Sequence, residues 1–63
     1  MATSSLRILV VDDYEPWRQR VCSMLHTRPE LCVIAEVAAG LEAVQTAEEL
    51  KPDLILLDIA RMQ

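Results

Sequence analysis

The chain has 63 residues and a formal net charge of -4, which allows one small domain and offers no basic stripe for nucleic acid. Hydrophobic residues make up 52% of it, more apolar surface than a monomer of this length readily hides, so it either associates or belongs with something larger. No apolar run approaches the roughly twenty residues of a membrane span. The opening "MATSSLRILVVDD" is no signal peptide, because its short apolar run ends in two acids; the cytoplasm is the expected compartment.

Residues 1–5 are polar. "RILVV" is a continuous, partly β-branched apolar run ending at Asp12 and Asp13. It predicts a strand buried on both faces, as in a parallel sheet. "EPWRQRVCSMLHTRP" predicts a helix, with Pro16 in its first turn and Pro29 as its stop. Trp17, Val21, Met24 and Leu25 would form its inner face, and Arg18, Gln19, Arg20 and Ser23 much of its solvated side. "LCVIAEVA" predicts a second strand over 31–37, Gly40 a turn, and "LEAVQTAEELK" a second helix with Ala43, Val44, Ala47 and Leu50 inward. Glu42 and Lys51 sit at the ends that the helix dipole favours. Pro52 ends this helix, and "DLILLD" predicts a third, doubly buried strand. Cys22 and Cys32 fit as buried small apolar residues, and with nothing to suggest secretion a disulfide is not expected.

The order β-α-β-α-β implies an α/β fold with a parallel sheet and right-handed crossovers. Ligands of such sheets bind beyond the C-terminal ends of the strands. Asp12 and Asp13 end the first strand and Asp58 ends the third. If these strands are neighbours, the carboxylates converge and repel, and a hard cation such as Mg2+ would reconcile them. Blander readings exist for each piece: Asp12 and Asp13 as helix caps, and Asp58 as an ordinary loop acid. His26 reads as a surface residue at a helix C-terminus, and Arg18 and Arg20 as a solvated helix face.

The segments "RILVVDD", "EVAAGLEAV" and "KPDLILLDI", with the spacing from the acid pair to the last aspartate, resemble the receiver domain of two-component response regulators. The pattern over "AEVAAGLEAVQTAEELKPDLILLDI" is most similar to the LuxR/NarL-type subclass, whose full members carry a DNA-binding domain. The resemblance covers residues 6–60. It implies a flavodoxin-like, doubly wound parallel sheet with strand order 2-1-3 in this part. It also implies that Asp58 is the phosphoacceptor, and that Mg2+ is held by Asp12, Asp13, Asp58 and the backbone carbonyl of Ala60. The donor would be a phosphohistidine on a sensor histidine kinase or a small acyl phosphate. The chain would be a signalling phosphoacceptor and not an enzyme in the usual sense. A haloacid-dehalogenase type of hydrolase is disfavoured, since "DDY" lacks the second acid of its D-x-D pattern.

Two departures stand out. Met62, preceded by Arg61, occupies the place where the family commonly has a proline. A full receiver is also about twice this length, and its later strands supply a Ser or Thr, a Lys and an aromatic around the phosphoryl group. The expectation is therefore the N-terminal half of a receiver over 1–63, with "LILLD" as an exposed apolar edge. Such an edge invites pairing with a second copy in a symmetric homodimer. No direct contact with nucleic acid or membrane is expected.

Overall fold

The structure, a computed structural model, describes residues 5–38 and 40–58, and of Asp58 it describes the backbone. Five elements follow in the expected alternation: β1 (Leu6–Asp12), α1 (Glu15–His26), β2 (Leu31–Val37), α2 (Gly40–Leu50) and β3 (Leu54–Asp58). β1 lies in the middle and pairs in parallel with both neighbours, giving the order β2-β1-β3. This is the arrangement expected of a flavodoxin-like receiver sheet.

A strand in that position has a helix over each face, and "ILVV" supplies apolar side chains to both. Ile8 and Val10 pack with Cys22 of α1, joined by Val21, Leu25, Leu31 and Val33. Leu9 and Val11 pack with Val37, joined by Ala35 and by Ala43 and Ala47 of α2. The helices therefore cover opposite faces. Ile8, Leu9, Val10 and Val11 are fully buried, and each aliphatic side chain so buried contributes roughly 1.5–3 kcal/mol.

β2 is not regular. Ile8 pairs with Val33 but Leu9 pairs with Ala35, so Ile34 is an extra residue in the ladder. Such a bulge changes which face the following side chains occupy. Beyond it Val10 pairs with Glu36 and Val11 with Val37. Glu36 is thereby set on the α1 face and Val37 on the α2 face. Without the bulge these assignments would be exchanged.

The end of α2 is held from outside. Lys51 has φ +48, a left-handed conformation that stops the helix at a cost of roughly 1 kcal/mol in a residue other than glycine. Its N–H donates to Ala47 O at 2.9 Å. Two carbonyls of the last turn are taken by the Arg7 guanidinium, through NH1 to Lys51 O and NH2 to Leu50 O, both at 2.7 Å. Arg7 also ties the start of β3: its N–H donates to Asp53 Oδ2 at 2.9 Å, and Asp53 N–H donates to Arg7 O at 2.8 Å.

Several sequence expectations need correction. The inward stripe of α1 is buried Cys22 with half-buried Arg18, Val21 and Leu25, whereas Trp17 and Met24 are exposed. In α2, Ala43 and Ala47 pack inward but Val44 and Leu50 are exposed. Cys32 is exposed while Cys22 is buried, and both thiols are free. β3 is the exposed edge expected of this half sheet and not the doubly buried strand its pattern alone predicts: Leu54, Ile55 and Leu56 are exposed and Leu57 is 60% exposed. The cause is its place at the sheet edge, beyond the reach of both helices. Beside it an apolar groove of about 470 Å3 runs between α2 and β3, lined by Val11, Ala43, Val44, Ala47, Ile55 and Leu57 among others.

The Arg7 clamp is testable by urea denaturation. Arg7→Ala should lower the unfolding free energy by about 1–2 kcal/mol. Arg28→Ala, which removes an exposed 3.3 Å pair with Glu30, should cost under about 0.5 kcal/mol. Equal effects would mean that the clamp contributes nothing beyond an ordinary surface arginine.

Candidate functional site

The C-terminal end of β1 is where the central strand leaves the core. Asp12 is its last residue and is only 3% exposed. The side chain folds back on its own loop: Oδ1 accepts the Tyr14 N–H at 3.0 Å. The other oxygen, Oδ2, is buried and has no hydrogen-bond partner among the described residues. Asp13 follows as an exposed bend. The N-cap of α1 is Tyr14, with no side-chain cap bond, so the acid pair does not serve as the helix cap.

Asp58 is the register partner of Asp12 across the parallel β1–β3 pair. The two backbone positions therefore lie side by side at the same end of neighbouring strands, about 4.8 Å apart in the hydrogen-bonding direction. The Asp58 side chain and the whole of Ala60 lie outside the described residues. Among the described residues no three His, Cys, Asp or Glu groups are placed to hold a metal ion. Next to Asp12 a small cavity of about 130 Å3 opens on the α1 side, lined by Val10, Asp12, Val21, Leu56 and others.

Arg18 joins this site, contrary to the expectation of a solvated face. One turn into α1, it donates NH1 to the Asp12 backbone carbonyl at 2.7 Å. Its Nε lies 3.5 Å from Glu36 Oε1, and the arginine side chain is 16% exposed. The signal was present in the spacing: Arg18 lies at i, i+3, i+4 and i+7 with Val21, Cys22 and Leu25, on the inward stripe. Arg20 behaves as expected at the surface, stacked 5.9 Å from the Trp17 ring centroid, and His26 is exposed.

The fold is that of the parallel α/β class of proteins, whose ligands bind beyond the C-terminal strand ends, and Asp12 and Asp58 stand at two adjacent ones. The comparisons narrow it. The family model for the response regulator receiver domain matches residues 8–62, and the chain belongs to that family. It is 46% identical over 55 residues to response regulator protein VraR of Staphylococcus aureus, in strains Mu3 / ATCC 700698, NCTC 8325 / PS 47 and COL alike. That match covers 87% of this chain and 26% of the relative, so the chain spans about a quarter of the length of the curated relatives it matches. No solved structure matches it. Among the described residues no helix is long and apolar enough to cross a membrane.

Cys22 offers a pH test of the packing around Arg18 and Glu36. Burial first, then the Glu36 carboxylate, push its thiol from 9.0 up to about 11. The folded chain therefore keeps a proton that the unfolded chain releases above 9.0. The stability tied to that proton is complete below 9.0 and is lost as pH rises towards about 11, at about 1.4 kcal/mol per pH unit. Unfolding free energies measured across this window should fall more steeply for the wild type than for Cys22→Ala. Parallel slopes would mean that the thiol is not buried as described.

Proposed function

We propose that the chain is the acid-bearing part of a response regulator receiver, over 1–63, with Asp58 as the residue that takes the phosphoryl group. The observation that carries this reading is the register partnership of Asp12 and Asp58 at the C-terminal edge of adjacent parallel strands, in a chain of this family. An Asp58 carboxylate oxygen would attack phosphorus in line and form a P–O bond. The bond to the donor then breaks, and its electron pair leaves on the imidazole of a phosphohistidine or on the carboxylate of an acyl phosphate. The natural donor is a sensor histidine kinase, which places the reaction in the cytoplasm. The LuxR/NarL-type pattern suggests transcription regulation as the output.

The donor set fits Mg2+: oxygen ligands only, and a buried Asp12 Oδ2 without a partner. Asp12, Asp13 and Asp58 would hold the ion with the backbone carbonyl of Ala60. When bound, it would neutralise the phosphoryl oxygens. The chain's own part is to keep Asp12 buried and oriented through the Tyr14 N–H, and to hold Asp58 beside it through the β1–β3 ladder.

A second reading concerns the chain by itself and rests on the edge strand. Leu54, Ile55, Leu56 and Leu57 are exposed along β3, which among the described residues has a neighbour on one side only. A second copy could pair there about a two-fold axis, covering the edge and the adjoining groove, in a homodimer without phosphotransfer.

Native mass spectrometry after incubation with Mg2+ and acetyl phosphate tests both readings. A phosphoryl adduct that is lost in Asp58→Asn is the expected result for the phosphoacceptor. An adduct of equal yield in the variant would overturn the assignment of Asp58, and a dimer without adduct would favour the second reading. Leu56→Lys should return a dimer to monomer at micromolar concentration. A dimer that survives this change does not use β3.

A further inference from the structure

The Asp12 carboxylate and the Arg18 guanidinium are close neighbours that do not pair. Arg18 NH1 is bonded to the backbone carbonyl of Asp12 at 2.7 Å, a few bonds away from the same residue's carboxylate. Yet Asp12 Oδ2 is buried and unpartnered. A guanidinium favours a carboxylate over a neutral carbonyl, and does so with two parallel bonds where it can. The opposite charge beside it is Glu36, whose Oε1 lies 3.5 Å from Arg18 Nε; the contact is an ion pair without a hydrogen bond, since Nε is itself a buried donor with no hydrogen-bond partner among the described residues.

Glu36 stands there because of the β2 bulge. The extra residue at Ile34 pairs Glu36 with Val10, whose side chain faces α1, and so sets the carboxylate on the face that carries Arg18. We propose that Glu36 is a positioning residue for the acidic site: it holds Arg18 on the Asp12 backbone carbonyl and off the Asp12 carboxylate, leaving Oδ2 open to a divalent cation. The inference rests on the cation reading given above. In the absence of Glu36 the guanidinium swings to Oδ2 and competes with the cation for it.

The test is Mg2+ affinity in the full chain, by isothermal titration calorimetry and by the fluorescence of Trp17, its single tryptophan. Glu36→Gln should weaken binding roughly tenfold, the scale of a lost ligand-orienting partner. The decisive comparison is made in an Arg18→Gln background. There the competitor is gone, and adding Glu36→Gln should change the affinity by less than about twofold. A tenfold loss that persists in that background would overturn the proposal, since it would come from the charge of Glu36 or from a damaged fold. Unchanged affinity in Glu36→Gln alone would also overturn it while leaving the cation site standing. A wild-type chain that binds no Mg2+ removes the site itself, and the role of Glu36 with it.

Discussion

Everything in this molecule hangs on β1 being hydrogen-bonded along both edges and covered on both faces. Its run Ile8–Val11 supplies side chains to two separate clusters, one under each helix. Between Arg7 and Asp12 this strand carries only apolar side chains. Asp12 is the last residue of the strand, and there the burial is still nearly complete. Site and core are therefore one construction: the apolar run that makes the sheet also decides where the first acid emerges.

Burying a carboxylate is costly unless its oxygens find partners. Among the described residues Asp12 is satisfied by half, with a backbone N–H on Oδ1 and no partner on Oδ2. A nearby arginine would complete it, and one is present, yet its NH1 is bonded to a backbone carbonyl and its Nε, in an ion pair with Glu36, has no hydrogen-bond partner among the described residues. A protein that needed only stability would pair the arginine with the carboxylate. On the proposed cation reading, an open lone pair on a buried acid is what an exchangeable ion would use, since a permanent partner would have to be displaced at each binding event.

Much of this was legible in the sequence, for definable reasons. The β-α-β-α-β order and the central place of "RILVV" follow from periodicity and from prolines and glycine at the joints, and those signals are local. The pairing of Asp12 with Asp58 followed once the strand order was known. What failed was non-local. Apolarity alone puts Trp17 and Met24 inward, but the inward stripe of α1 follows the spacing of Arg18 with Cys22 and Leu25. Cys32 was expected inside, and it is exposed. The bulge at Ile34 leaves no mark in "LCVIAEVA", because it is a property of the pairing with β1 and not of β2 alone. The role of Glu36 was hidden for the same reason.

β3 carries the sharpest contrast between pattern and setting. "LILL" reads as doubly buried, and each of its residues is exposed. A hydrophobic pattern states what surroundings a strand is suited to, whereas exposure reports what these elements supply. The consequence reaches the site. Asp58 stands at the far end of this strand from the Arg7–Asp53 clamp, and its distance from Asp12 is set by the β1–β3 ladder alone. The first acid is fixed by a core on both sides and the third by one row of hydrogen bonds. Anything that covers the groove beside β3 would then act directly on how firmly the two strand ends are held together.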